Sequence, residues 1–138
     1  MIIKKFWKSL LVIAGILVIS LLPYNSPETQ TPSFLSIAFD KWEHVLAYCV
    51  LAISLIIELK KQAIFNNLIR HAVLYSLLFS LELGGLIELL QKFFPSLNRS
   101  ANLKDIIANG IGIILAVILY FVVRNKKLPF IGQLTQED

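Results

Sequence analysis

Four long apolar runs alternate along the chain with short polar segments. They cover residues 6–22, 42–58, 69–90 and 106–123. Each run, with its flanks, approaches the ~20 residues that a helix needs to cross a hydrocarbon core of ~30 Å. The pattern therefore predicts an all-α fold: a four-transmembrane-helix bundle that forms a single integral membrane domain over residues 1–138.

The composition agrees with a membrane protein. Of all residues, 57% are hydrophobic and 16% are charged. A soluble domain has roughly a quarter of its residues charged, because its surface faces water. The charged share is too low for such a surface, so we expect lipid to cover the outside of a multi-pass protein in a cell membrane.

The distribution of lysine and arginine predicts the orientation of the bundle. Nine basic residues lie at one set of predicted span ends and four at the other. The nine are Lys4, Lys5, Lys8, Lys60, Lys61, Arg70, Arg124, Lys126 and Lys127, and the four are Lys41, Lys92, Arg99 and Lys104. Basic residues concentrate in cytoplasmic loops. We therefore predict that both termini are cytoplasmic and that residues 23–41 and 92–104 lie outside. Because the positive charge reflects topology, we expect no nucleic-acid partner.

The ends and loops of the predicted spans carry further expectations. No small-residue cleavage site follows the first span, which we therefore interpret as an uncleaved anchor helix. Residues 23–39 contain three prolines and are predicted to be extended or irregular, with residues 34–39 along the membrane interface. Pro95 is expected to end the third helix. The single cysteine, Cys49, cannot form an intrachain disulfide.

The second span begins with a stripe of polar residues. Asp40, His44 and Tyr48 are four residues apart, so a helix places them on one face. At a rise of 1.5 Å per residue, this stripe descends about 12 Å from the outer membrane surface. Lys41 lies beside it.

The third span ends with polar residues at the same predicted surface. Gly84, Glu88 and Gln91 follow one another at spacings of four and three, so they share a helix face. Gly84 and Gly85 have no side chains, and we expect them to let another helix approach closely.

The fourth span begins where the third ends. Asp105, Asn109, Gly112 and Ala116 lie at helical spacing, so that two polar residues lead into a seam of small ones. Arg99, in the connecting loop, is within reach of this end.

Three helix ends thus bring polar and charged side chains to one face of the membrane. A charge that faces lipid costs several kcal/mol, so we expect these side chains to face inward and to pair. The predicted arrangement is a polar cleft that opens outward. Its predicted ligand-binding residues are Asp40, Lys41, His44, Tyr48, Glu88, Gln91, Arg99, Asp105 and Asn109.

Three other ionisable residues are not assigned to the cleft. Glu58 lies at the inner end of the second span beside lysines, where we expect it to be solvated. His71 begins the third span and is interpreted as an interfacial residue. Glu82 lies in the middle of that span, where we expect it to be protonated or bonded to a neighbouring helix.

Two stretches, "DKWEHVLAYCVLA" and "GGLIELLQKFFPSLNRSANLKDIIANGIGIILA", resemble the VanZ-like family of small bacterial membrane proteins. The resemblance covers about residues 40–123. Its elements are Asp40, Lys41, His44 and Tyr48; Glu88, Gln91, Pro95 and Arg99; and Asp105, Asn109 and Gly112. The founding member is associated with low-level resistance to the glycopeptide teicoplanin. The resemblance implies a location in the bacterial plasma membrane and a role in the cell envelope and in antibiotic resistance, without an assigned activity.

The residues leave three functional hypotheses open. The cleft could bind an anionic lipid headgroup or a lipid-linked cell-envelope precursor, with Lys41 and Arg99 on the phosphate or carboxylate. It could instead belong to an enzyme that acts on an outer-leaflet lipid. A third hypothesis is structural, because polar residues also join helices within membranes.

The enzyme hypothesis has His44, Glu88 and Asp105 as catalytic candidates. Glu88 or His44 would act as general base. These residues and Asp40 could also hold a divalent ion. The sequence contains no compact metal motif such as HExxH, and no serine or cysteine adjoins His44. We therefore assign no metal ligand and no cofactor, and leave open whether a metal binds. The oligomeric state is left open.

Overall fold

The structure, a computed structural model, describes residues 5–21, 34–62, 64–94 and 103–125, with backbone alone for residues 34–40. These residues form helices α1 (Trp7–Leu21), α2 (Phe34–Lys61), α3 (Asn66–Arg70), α4 (Ala72–Phe93) and α5 (Leu103–Asn125). No strand occurs among the described residues. The all-α prediction is confirmed.

Three of the described helical segments are long and apolar enough to cross a membrane: Lys41–Lys61, Ala72–Phe93 and Leu103–Asn125. These segments correspond to the second, third and fourth predicted spans. The described helix of the first predicted span is shorter. At 15 residues, α1 extends about 22 Å, less than the ~30 Å of the hydrocarbon core. The described part of the chain therefore has three helices of spanning length and one shorter apolar helix, as in a helical membrane protein.

Helix α2 lies at the centre of the bundle. It packs most extensively against α5 and also contacts α1 and α4. Its Leu51, Ala52 and Ile56 are completely buried, and Ile87 of α4 and Ile113 of α5 are almost so. Large apolar side chains cover the outside of the bundle. An interior that holds polar groups within an apolar exterior is what lipid as solvent requires.

Two glycines set how closely the helices approach. A Cβ atom on Gly112 would overlap the carbonyl oxygen of Val45, so α5 contacts the backbone of α2 at this point. A Cβ atom on Gly84 would lie 3.2 Å from the Tyr48 ring. The prediction of close approach is confirmed for Gly84. It is wrong for Gly85, which is exposed and would have no neighbour within 4 Å.

Some helix boundaries differ from the prediction. Residues 34–40 are helical and continuous with α2, so the prediction of an irregular segment over residues 23–39 is wrong for residues 34–39. The third predicted span begins with the separate one-turn helix α3. The exposed His71 then separates α3 from α4 and stacks edge-on against Tyr75. Helix α4 ends at Phe93, shortly before Pro95, where a proline disfavours further helix.

Glu58 is buried, and the prediction that it is solvated is wrong. Its side chain is 5% exposed and accepts hydrogen bonds from the backbone N–H of Lys8 at 2.9 Å and of Ser9 at 3.1 Å. The Ser9 hydroxyl donates to the same carboxylate. The first N–H groups of a helix have no partner within the helix and carry partial positive charge. A carboxylate of α2 therefore caps the N-terminus of α1.

Lys5 and Gln62 complete the junction at this end of the bundle. The Lys5 ammonium donates to the carbonyl oxygen of Gln62 at 2.6 Å, just after α2 ends. The buried Gln62 side chain in turn accepts from the backbone N–H of Ile64 and Phe65. Backbone groups of described residues between α2 and α3 are thus paired with the side chains of Lys5 and Gln62.

Candidate functional site

The polar residues at the other end of the bundle converge from α2, α4 and α5. We call this region the polar end. Its described residues are Lys41, His44, Tyr48, Glu88, Gln91, Asp105 and Asn109. Lys41 and His44 are half-buried and the other five are buried. Seven of the nine residues predicted to bind a ligand are therefore placed together.

Lys41 and Asp105 form an ion pair between α2 and α5. The Lys41 ammonium donates to Asp105 Oδ1, and the two side chains are 24% and 10% exposed. Asp105 also lies in the first turn of α5, where the helix dipole favours a negative charge. The carboxylate therefore lies between a cation and the positive end of a helix dipole.

His44 and Asn109 join the same two helices one turn deeper. His44 Nδ1 lies 3.0 Å from Asn109 Oδ1. Since an amide oxygen only accepts, the imidazole donates its Nδ1 proton. The Asn109 amide nitrogen would lie 2.9 Å from a Cβ atom on Gly84, so the absence of a side chain on α4 leaves room for it.

His44, Glu88 and Asp105 form the carboxylate–histidine cluster. Each offers one imidazole nitrogen or carboxylate oxygen, and these three atoms lie within 4.8 Å of one another. Glu88 is 4% and Asp105 is 7% exposed. Three helices must align for this cluster to form, because each contributes one residue.

Gln91 reaches from α4 to the end of α1. Its amide nitrogen donates to the backbone carbonyl oxygen of Ser20 at 2.9 Å. The last carbonyl groups of a helix have no partner within it. In the structure Gln91 therefore joins α4 to α1, and one of its two amide protons is used in this bond.

A small cleft between α1 and α2 leads to the polar end. Ile16, Ile19, Ser20, Glu43, His44, Ala47 and Tyr48 line it. Its volume of about 40 Å³ accommodates roughly two or three water molecules. The stripe prediction did not include Glu43, which is exposed. Only the position of α1 makes Glu43 part of the lining.

Two predicted ligand-binding residues lie wholly or partly outside the described part of the chain. Arg99 lies outside the described residues. Asp40 lies on the described backbone of α2, but its side chain is outside the described part.

Glu82 does not bond to a neighbouring helix in the described part of the chain, contrary to one of the two alternatives expected for it. It lies near the middle of α4, and its side chain is exposed on the outer surface of the bundle. It takes no part in the polar end.

The polar end combines three kinds of chemistry. Lys41 supplies a cation that can contact an anion. His44, Glu88 and Asp105 supply groups that accept protons or bind metals. Tyr48 and Asn109 add further hydrogen-bonding groups.

Comparison with known proteins identifies the family. A family model described as VanZ/LLP1 matches residues 4–124. This match includes α1, which lies before the region of the resemblance found in the sequence. Neither the comparison with curated proteins nor that with solved structures gives a match. The chain belongs to the VanZ/LLP1 family.

Proposed function

We propose that this member of the VanZ/LLP1 family binds the anionic headgroup of an outer-leaflet lipid or of a lipid-linked cell-envelope precursor. The polar end would face the outside of the plasma membrane, as the distribution of lysine and arginine predicts. The four apolar helices would then hold this site at the membrane surface, where headgroups lie.

The supporting observation is the burial of ionisable residues at the polar end. Glu88 and Asp105 are within the bundle, although a buried charge is costly. The opposite end also buries a carboxylate, that of Glu58, but the α1 backbone accounts for it. The polar end brings together more ionisable groups than fastening of helices requires. A role in binding accounts for this excess.

Lys41 is the cation that would contact the headgroup. Its side chain is about one-quarter exposed and is held by Asp105, so it is oriented before a ligand arrives. Arg99 is predicted to be a second cation at this site, and its guanidinium could grip a phosphate with two hydrogen bonds. The cleft is too small for a sugar ring. The headgroup would therefore lie over the polar end, with water in the cleft beneath it.

The binding experiment compares two lysines of α2. The full chain is purified in detergent with phosphatidylglycerol and phosphatidylcholine, and retained lipid is counted by native mass spectrometry. We expect a preference for phosphatidylglycerol that K41Q reduces about tenfold, as loss of one charged hydrogen bond implies. The matched control is K61Q, because Lys61 is an exposed lysine at the opposite end of α2. This variant should keep the preference.

Two additions make the result decisive. The K41R variant keeps the positive charge and the ability to pair with Asp105, and it should therefore retain more lipid than K41Q. A polyprenyl phosphate replaces phosphatidylglycerol in a second series, to distinguish a lipid-linked precursor from a phospholipid. Equal retention of anionic and neutral lipids by the unaltered protein, with both anionic probes, would overturn the proposal.

The second candidate function is an enzyme that acts on an outer-leaflet lipid headgroup. Its support is the carboxylate–histidine cluster, in which His44 and two carboxylates lie within 4.8 Å. Such neighbours are suited to general acid–base chemistry. If H44A and E88Q abolish turnover of a lipid while its binding survives, the enzyme hypothesis is favoured. If both variants accumulate and bind lipid normally and the cellular phenotype is unchanged, both functional hypotheses fail.

The structural hypothesis remains as an alternative to both. The Gln91–Ser20 bond and the Lys41–Asp105 pair join helices and would do so without any ligand. An envelope role is tested in cells by teicoplanin sensitivity. Expression of the unaltered protein should raise the inhibitory concentration, and H44A at equal abundance should not. An equal effect of both proteins would favour a role that is independent of the polar end.

A further inference from the structure

We infer that the carboxylate–histidine cluster binds a divalent transition-metal ion, with Zn²⁺ as the expected occupant. The sequence alone left metal binding open and assigned no metal ligand, because no compact metal motif occurs in it. The three candidate ligands are instead far apart in the sequence and belong to α2, α4 and α5. This inference deepens the proposed function because it concerns the same polar end.

The types of donor atom favour a transition metal over calcium or magnesium. His44 supplies an imidazole nitrogen, which suits zinc and its neighbours, whereas calcium and magnesium prefer oxygen ligands alone. Zinc accepts imidazole together with carboxylate oxygens at about 2.0–2.2 Å. Ligand atoms around a tetrahedral ion at these distances are about 3.4 Å apart. The atoms of the cluster lie within 4.8 Å of one another, so the side chains would close around the ion by roughly 1 Å.

Asn109 provides the second, independent indication of a metal site. Its Oδ1 atom accepts the Nδ1 proton of His44, which leaves the lone pair of a neutral imidazole on Nε2. Metal-bound histidines typically donate their other ring N–H to a carbonyl or carboxylate in this way. Asn109 is 3% exposed, so this orientation is protected from water. We therefore assign Nε2 as the ligand atom and Asn109 as a positioning residue.

The ion pair between Lys41 and Asp105 is compatible with metal binding. The Lys41 ammonium contacts Asp105 Oδ1, and a carboxylate has a second oxygen and further lone pairs. A hydrogen bond to a metal-bound carboxylate is a common way to orient it. Lys41 would thus hold Asp105 in place for the ion.

A divalent ion also improves the electrostatics of the proposed headgroup site. Among the residues of the polar end, Lys41 contributes one positive formal charge, and Glu88 and Asp105 contribute one negative formal charge each. An ion of charge +2 in the cluster changes their sum from −1 to +1. Three protein ligands would leave at least one position of a zinc ion open, as in catalytic zinc sites. A phosphate oxygen could occupy that position.

The test measures zinc bound to the full chain, purified without a polyhistidine tag. The protein is equilibrated with Zn²⁺ in competition with a chromophoric chelator, and metal content is measured by mass spectrometry. We expect one zinc ion per chain. H44A, E88Q and D105N should each weaken binding at least tenfold, and N109A about tenfold to a hundredfold, as for other residues that orient a metal ligand.

The control is H71A, which removes the exposed histidine at the opposite end of the bundle. It should bind zinc like the unaltered protein. Because some ligand variants could fail to fold, thermal unfolding of the unaltered protein is measured with and without Zn²⁺, and an increase in midpoint is expected. The inference is overturned if the unaltered protein binds no zinc. It is also overturned if H44A and H71A reduce zinc binding equally.

Failure of this inference can be distinguished from failure of the proposed function. Retention of phosphatidylglycerol is measured with Zn²⁺ and with a chelator. Lipid retention without zinc binding overturns the metal site and leaves the headgroup site. Zinc binding without any preference for the anionic lipid supports the metal site and overturns the headgroup proposal.

Discussion

His44 Nδ1 and Asn109 Oδ1 lie 3.0 Å apart and link α2 to α5 within the polar end. This contact fixes the proton of the imidazole and the orientation of its ring. It also depends on the close approach of α2 and α5 that Gly112 allows. The chemistry of the polar end and the packing of the bundle are therefore coupled.

The contact between His44 and Asn109 predicts measurable coupling between the two side chains. N109A leaves the imidazole N–H without its acceptor and should destabilise the protein by about 1 kcal/mol. Unfolding in denaturing detergent is compared for N109A, H44A and the double variant. The double variant should be less destabilised than the sum of the single variants. Strict additivity would show that the contact contributes nothing.

The close packing of Gly112 against α2 predicts that a single methyl group added at this position has a strong steric effect. In G112A the new Cβ atom overlaps the Val45 carbonyl, so α5 must move away from α2. We expect a loss of about 1–3 kcal/mol, as for other overpacked sites. The control is G110A on the same helix, where a Cβ atom would meet nothing within 4 Å. Equal unfolding free energies of the two variants would contradict the close approach.

The Glu58 cap predicts that α1 is locally fastened at its N-terminus. E58A removes the acceptor of the Lys8 and Ser9 N–H groups, so these amides should exchange their hydrogens faster. Hydrogen exchange is followed by mass spectrometry on peptides from α1 and α5. Exchange in α5, which does not contact this cap directly, serves as the control. Unchanged exchange at the start of α1 would show that Glu58 does not hold this helix.

The exposed position of Glu82 predicts that its replacement by an apolar residue stabilises the protein. An exposed carboxylate near the middle of a spanning helix faces lipid, where an ionised group costs about 2.5–3.5 kcal/mol by insertion measurements. E82L should therefore raise the unfolding midpoint in lipid nanodiscs. The midpoint of E82L is compared with that of E43L, because Glu43 lies at the end of the bundle near the cleft. A lower midpoint for E82L would indicate that a partner helix contacts Glu82.

The topology prediction is tested with two exposed residues. Leu103 begins α5 near the polar end, and Ile64 follows α2 at the opposite end. In a chain carrying Cys49→Ala, L103C should react with an impermeant maleimide added to intact cells. I64C should react only after the membrane is opened. The reverse pattern would place the polar end in the cytoplasm and would remove the basis for an outer-leaflet ligand.

The sequence by itself determined the helical class, the apolar exterior and the polar residues at one end. Three helices of spanning length follow from the length and composition of their apolar runs. Helical spacing is local, so it also showed which residues share a face. Asp105, Asn109, Gly112 and Ala116 are all buried along one face of α5, as their spacing predicts.

Only the tertiary structure decided which residues of different helices meet. Spacing along one helix does not fix its rotation or height relative to its neighbours, and these set every contact between helices. The sequence therefore did not reveal that Lys41 pairs with Asp105 or that Gln91 binds the end of α1. It also misplaced Glu58, because a carboxylate beside lysines is typical of a solvated helix end. The burial of Glu58 depends on α1 presenting its unpaired N–H groups to it.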